Sequence, residues 1–231
     1  MNRRHLLFAL AAAGLDLDAQ EPPSGSLYIP KPHLVEDRKF LHDFIDEFSF
    51  ADLVTASPAI RITHIPTVLH RAGGTYGTIF GHVSRNNIQN KCFDGVQPAV
   101  IVFRGPHSYI SPNWYTKPDA VPTWNFSVVH ASGRLKAITD PAELHDRLAE
   151  LIAKFEGPGS AYDFAKLPAS YVNGMLGGIV GFEMRIELLE GKFKLGQERS
   201  EADKQAIVKN LQTAKQPRSI AEFTAEFYKR A

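Results

Sequence analysis

Six runs of β-branched and aromatic residues, separated by turn chemistry, constrain this chain more than any other feature. They are FADLVTA (50–56), IRITHIPTVLH (60–70), TYGTIFGHV (75–83), PAVIVFR (98–104), TWNFSVVHASGRLKAI (123–138) and GIVGFEMRIELLEGKFKLGQ (178–197). Ala72-Gly73-Gly74 joins the second to the third as a hairpin, since glycine supplies the positive φ such turns need. The fifth run bends at Gly133, and the last reads as a hairpin turning near Glu190-Gly191. Strands that follow one another without crossover helices pair antiparallel, and curling such a sheet into a barrel protects its edges. The expectation is an α+β fold: an antiparallel barrel of six to seven strands with peripheral helices. A doubly wound sheet would need alternating βαβ order, which the chain does not follow.

The helices are read from period and caps. Phe40, Leu41, Phe44, Ile45 and Phe48 recur on one face over residues 36–49. Asp140, Pro141 and Glu143 open a second helix, whose face is Leu144, Leu148, Leu151, Ile152 and Phe155 and which Gly157-Pro158 ends. Residues 168–176 form a short helix, and two more finish the chain, capped by Ser200 with Asp203 and by Ser219 with Glu222.

The organisation is a leader and linker over residues 1–26, then one domain over 27–231. The paired Arg3-Arg4, the apolar run Leu6–Leu15 and a cleavage site ending at Ala19 read as a twin-arginine export signal over residues 1–19. Asp16 and Asp18 favour a leader retained on a cytoplasmic protein instead, so cytoplasmic and periplasmic locations both stay open. The apolar run is too short for a stable membrane span.

Charge and spacing exclude several chemistries. The net charge of +1 gives no whole-protein attraction to nucleic acid, and no helix pair carries a basic recognition face, so direct DNA binding is not expected. A single cysteine leaves no intramolecular disulfide, and the nine histidines do not fall at metal-ligand spacing. Gly73-Gly74-Thr75-Tyr76-Gly77 lies in a hairpin, not between a strand and a helix, so it is no phosphate loop. His64, His82, His107 and His130 stand singly in or near strands, as hydrogen-bonded barrel residues or, for one of them, a haem ligand.

One pattern does suit a ligand. Arg61 and Thr63 share one face of their strand while His64 takes the other, and the next strand ends in Ser84-Arg85-Asn86-Asn87. Arginine forks, hydroxyls and free N–H groups at a strand end suit a phosphate dianion; a solvated strand end with an ordinary arginine is the plainer alternative. Trp114, Tyr115 and Trp124, close to Arg104, His107 and Asn125, either pack a barrel corner or cradle a flat ring.

GHVSRNN (81–87), VIVFRGPHSYISPNWY (100–115), VPTWNFSVVHASGRL (121–135) and GIVGFEMRIELLEGKFKLGQER (178–199), in this order and spacing, resemble the PaiB family of FMN-binding negative transcriptional regulators. The resemblance runs from about Leu27 to about Leu211. It implies an FMN-binding split β-barrel that forms a homodimer with flavin at the subunit interface. It assigns Arg61, Thr63, Ser84 and Arg85 to the FMN phosphate. His64 belongs to the family's H-[LI]-P block, and His82, Arg85 and Asn87 to its G-H-x-x-R-x-N block. Gln197 and Arg199 would reach the flavin from the partner subunit, and Trp124 with Asn125 would border it, while Trp114 and Tyr115 stay structural.

Two departures stand out: Ile88-Gln89-Asn90 where the family continues Pro-Gln-Trp, and Glu198 where it carries a neutral amide. A carboxylate beside an FMN phosphate opposes binding. The functions implied are an FMN-binding regulator, an FMN-dependent oxidoreductase in which the flavin does the chemistry, or an exported haem- or flavin-binding protein. No general acid or base stands out, so catalytic residues are unassigned.

Overall fold

The computed structural model describes residues 25–116 and 120–214. The leader reading over residues 1–19, most of the linker and the helix capped by Ser219 and Glu222 lie outside the described residues.

Eight strands make one sheet: β1 (Leu34–Val35), β2 (Phe50–Thr55), β3 (Arg61–Pro66), β4 (Val68–His70), β5 (Thr78–Ser84), β6 (Asp94–Ile110), β7 (Thr123–Ala137) and β8 (Ile179–Lys194). Their order is β3-β2-β6-β7-β8-β5-β4, every pairing antiparallel, with β1 added on β8. The two edges of this path are halves of one run of chain. The expected strand 60–70 breaks at Thr67, which is fully buried and sends both its N–H and its hydroxyl to the Ser49 carbonyl at 2.9 Å. At that corner the chain leaves β2 as β3 and joins β5 as β4. The sheet is thus curled and closed by a chain corner, which is the α+β split barrel expected.

Inward side chains alternate along each strand, and Leu53, Ile65, Ile79, Ile101, Phe103, Val129, Leu135, Phe182 and Met184 fill the interior. Helix α1 (Arg38–Glu47) closes one end, started by the Asp37 carboxylate accepting from the Phe40 N–H, and buries Leu41, Phe44 and Ile45. Helices α2 (Pro141–Glu156) and α3 (Ala169–Gly177) pack Leu144, Leu151, Val172 and Leu176 on Phe80, outside β5. Asp140 caps α2 and Gly157, at φ +72°, ends it. Phe155 is exposed, against expectation: it lies a turn beyond Leu151, in the last two residues of the helix. Helix α4 (Glu201–Thr213) starts at Ser200, as its cap predicts.

The expected hairpin at Glu190-Gly191 is absent. β8 runs straight through, paired to β7 from Phe182 to Lys194. Gly191 marks a close approach, not a turn: a Cβ there would lie 2.4 Å from a Leu41 methyl carbon. The bend at Gly133 is present, as a register shift between Ser132 and Gly133.

Candidate functional site

The predicted residues gather at two places. The first is the corner where β5 ends beside β3. Asn87 starts a 3₁₀ turn over Ile88–Cys92, its side-chain oxygen accepting from the Gln89 N–H at 3.0 Å. Its Nδ2 donates to Thr63 Oγ1 at 2.9 Å, and the Thr63 hydroxyl in turn donates a hydrogen bond to Gln89 Oε1. Gln89 is fully buried and donates to the Leu53 carbonyl at 3.1 Å and to Thr55 Oγ1 at 3.2 Å. A buried amide with its groups satisfied holds a corner rigid. Thr63 therefore serves the corner itself, its hydroxyl committed on both sides.

Arg85 clasps the far side. Its N–H bonds the Gly178 carbonyl at 2.8 Å, and its guanidinium donates to the carbonyls of Gly177 and Ile179, at 2.5 and 2.9 Å. The Gly177 and Gly178 carbonyls close α3, where a cation complements the helix dipole, and the Ile179 carbonyl opens β8. Ser84 Oγ accepts from the Asn86 N–H at 3.3 Å and keeps its proton to give. Arg61, half-buried on the face of Thr63, makes no ion pair among the described residues. One strand position back, His82 presents a buried Nδ1 with no partner, and burial pushes its pKa below the usual histidine value. Arg61, Ser84 and the remaining Arg85 N–H groups are the donor types that suit a phosphate.

His64 points the other way, as strand alternation demands. Its Nδ1 meets Asp52 Oδ1 at 2.5 Å, while Arg104 holds Asp52 Oδ2 at 2.7 Å on the outer face. Sequence reasoning missed Asp52 and Gln89. The signals were a carboxylate inside the apolar strand FADLVT and an amide two residues after a turn-forming asparagine.

The second place is the opposite end of the sheet. Trp124 is half-exposed in β7, register partner of Tyr109 and 5.7 Å from the His107 ring. Gln197 is spent on its own turn, accepting from the Leu195 N–H at 2.8 Å and donating to the Phe193 carbonyl. The Arg199 guanidinium stacks 4.4 Å above the Tyr115 ring. Glu198 lies 3.8 Å from both His33 Nε2 and Arg199 Nε, so its charge is answered locally. Ser84 pairs with Ile179 and Phe126 with Lys194, which puts the two places at opposite ends of β8, about 50 Å of strand contour apart. Among the described residues, no three His, Cys, Asp or Glu side chains gather as a metal site, and no helix is long and apolar enough to cross a membrane.

A curled, corner-closed antiparallel sheet with helices outside one strand is the split barrel of flavin-binding proteins. Solved structures that share it include the flavocytochrome Anf3 from Azotobacter vinelandii (TM-score 0.56, 15% identity, 74% of this chain and 73% of that one) and a FAD and haem binding protein from Mycobacterium smegmatis (TM-score 0.54, 17% identity, 75% and 79%). The family described as "Putative FMN-binding domain" matches residues 27–188. The protease synthase and sporulation protein PAI 2 of Bacillus subtilis is 32% identical over 193 residues, 83% of this chain and 92% of that protein. An uncharacterized protein of Emericella nidulans is 27% identical, over 80% of this chain and 90% of that one. The chain belongs to the PaiB-type family of FMN-binding-domain proteins.

Proposed function

We propose that the protein binds FMN as a homodimer, with each flavin shared between two chains. Arg61, Ser84 and Arg85 of one protomer would take the phosphate, on a corner that Thr63, Asn87 and Gln89 hold in shape. Trp124, with Gln197 and Arg199 nearby, would flank the ring from the partner. The observation that carries this reading is the separation of the two groups along β8, which a two-fold pairing would bridge by bringing one chain's corner to its partner's far end. Exposed Ile60 and Ile62 beside half-buried Val54, Val100 and Val102 offer an apolar outer face for that pairing.

When bound, FMN supplies hydride or electron transfer; the protein supplies binding and orientation. We read the family's regulatory role as the setting in which this flavin acts, and an oxidoreductase reaction as the second reading, favoured by the cationic and aromatic face described below.

The test is an absorbance spectrum of the purified protein before and after FMN is added, with Arg61→Ala alongside and circular dichroism to verify its fold. Flavin bands retained by the wild type and lost by the variant are expected. A colourless protein that ignores FMN, or one that gives a Soret band with haemin instead, overturns the assignment.

A further inference from the structure

The second half of β6, the first half of β7 and the end of β8 pair with one another, and their outer face carries an unusual set of residues. Cross-strand register puts Tyr109 beside Trp124, His107 beside Phe126 and Lys194, and Arg104 beside Val128 and Lys192. Directly paired residues share a face, so rings and cations line one surface. Trp124 is 51% exposed although it sits inside a strand.

The two lysines are the informative part. Lys192 Nζ stands 5.4 Å from the Tyr28 ring centroid and 5.6 Å from that of Phe126, and donates to the Tyr28 carbonyl at 2.8 Å. Lys194 donates to the Thr123 hydroxyl. Neither makes an ion pair among the described residues. The carboxylate on the same face, Glu190, is nearly buried, and one of its oxygens takes both the N–H and the hydroxyl of Ser26 at 3.0 Å. Asp52 is held by Arg104 and His64. Arg104, Lys192 and Lys194 therefore outnumber Asp52 and Glu190 on this face, and burial, then the neighbouring Lys194 charge, lowers the pKa of the Lys192 ammonium. A pair of cations over an aromatic floor recognises a ring by stacking and its charge by hydrogen bonding.

We infer that this face binds a planar aromatic anion, its carboxylate or phosphate on Lys192 and Lys194 and its ring against His107, Phe126 and Trp124. Aromatic carboxylates and nucleoside monophosphates share that chemistry. The inference rests on the two-chain flavin reading only for placing the ring beside the flavin at Trp124; the binding itself does not depend on it.

Calorimetric titration of the full-length protein with 4-hydroxybenzoate and with adenosine 5′-monophosphate, against the neutral 4-hydroxybenzamide and adenosine, tests it. One of the two anions should bind saturably, at least about tenfold tighter than its neutral counterpart, since a hydrogen bond to a charged group is worth that much; which one binds names the source. Lys192→Gln/Lys194→Gln should abolish the difference and Lys192→Arg/Lys194→Arg restore most of it, with FMN uptake unchanged in both. Equal binding of anion and neutral ring, or a glutamine pair that still selects the anion, overturns the inference. Selective anion binding by a protein that takes up no FMN would sink the flavin reading and leave this one standing.

Discussion

The Asn87 side chain donates to the Thr63 hydroxyl at 2.9 Å and so fastens the exit of β5 to the edge strand β3 across the barrel's split. Among the described residues β3 has ladder bonds only to β2, so this contact, the Thr67 corner and the buried Ile65 side chain hold it against the far side. Gln89 stands behind the pair, tying it to β2 through Leu53 and Thr55. The candidate phosphate groups inherit their positions from this node.

Gln89→Leu should therefore cost about 2–3 kcal/mol, because Thr63 and Thr55 would be left facing an apolar side chain. Urea unfolding would read this as a lower midpoint at unchanged slope. FMN affinity should fall with it, since Arg61 and Ser84 flank the node. A midpoint equal to wild type would mean that the node does not hold the corner.

Gly133→Ala tests the bend in β7. A Cβ at this position would sit 2.3 Å from the Arg185 backbone carbonyl oxygen, which belongs to the paired strand and cannot rotate away. Overpacking of this kind costs about 1–3 kcal/mol. Thermal unfolding should drop by about 2–4 °C for each kcal/mol lost in a chain of this size. A Tm unchanged by the methyl group would show that β7 and β8 slide freely at the bulge.

His82 gives the fold a pH dependence of definite sign. Burial lowers its pKa below the ordinary histidine value of about 6.5, so between the folded and unfolded pKa values the unfolded chain binds the extra proton. Its contribution is complete above about pH 6.5 and is lost as pH falls below it. Burial also lowers the pKa of His33 and His130, which add slopes of the same sign. Urea midpoints at pH 7.5 and 5.5 should therefore differ less in His82→Gln than in wild type. An identical difference would mean that His82 is as solvated in the folded protein as in the unfolded chain.

The strands were legible because their alternation and turns are local. The α2 start was legible for the same reason, since Asp140 acts within three residues of itself, whereas α1 was legible from its apolar spacing and its Asp37 cap was not read. Gly191 was misread because a glycine has two uses, and only the tertiary approach of Leu41 selects close contact over a turn. Thr67 broke an expected strand for a comparable reason: its partner, Ser49, is 18 residues away. At the candidate site, spacing marked Arg61, Thr63 and Ser84–Asn87, but nothing in their order says that Thr63 is committed to Gln89 or that Arg85 grips α3. Those are pairings between distant segments.

Ile62→Glu tests the two-chain site most directly. Ile62 is 57% exposed on β3, opposite Val54, so a charge there leaves the core untouched and costs the isolated chain within about 0.5 kcal/mol. At a dimer face the same carboxylate would be buried without a partner, a cost of several kcal/mol. Sedimentation should show a dimer for the wild type and a monomer for the variant, both with the same circular dichroism. Since neither the Arg61 corner nor the Trp124 end completes the proposed site alone, FMN affinity should fall at least tenfold with dimerisation. A monomeric variant that binds FMN as tightly as wild type would place the whole site within one chain, and the separation along β8 would then have to be bridged by some other route.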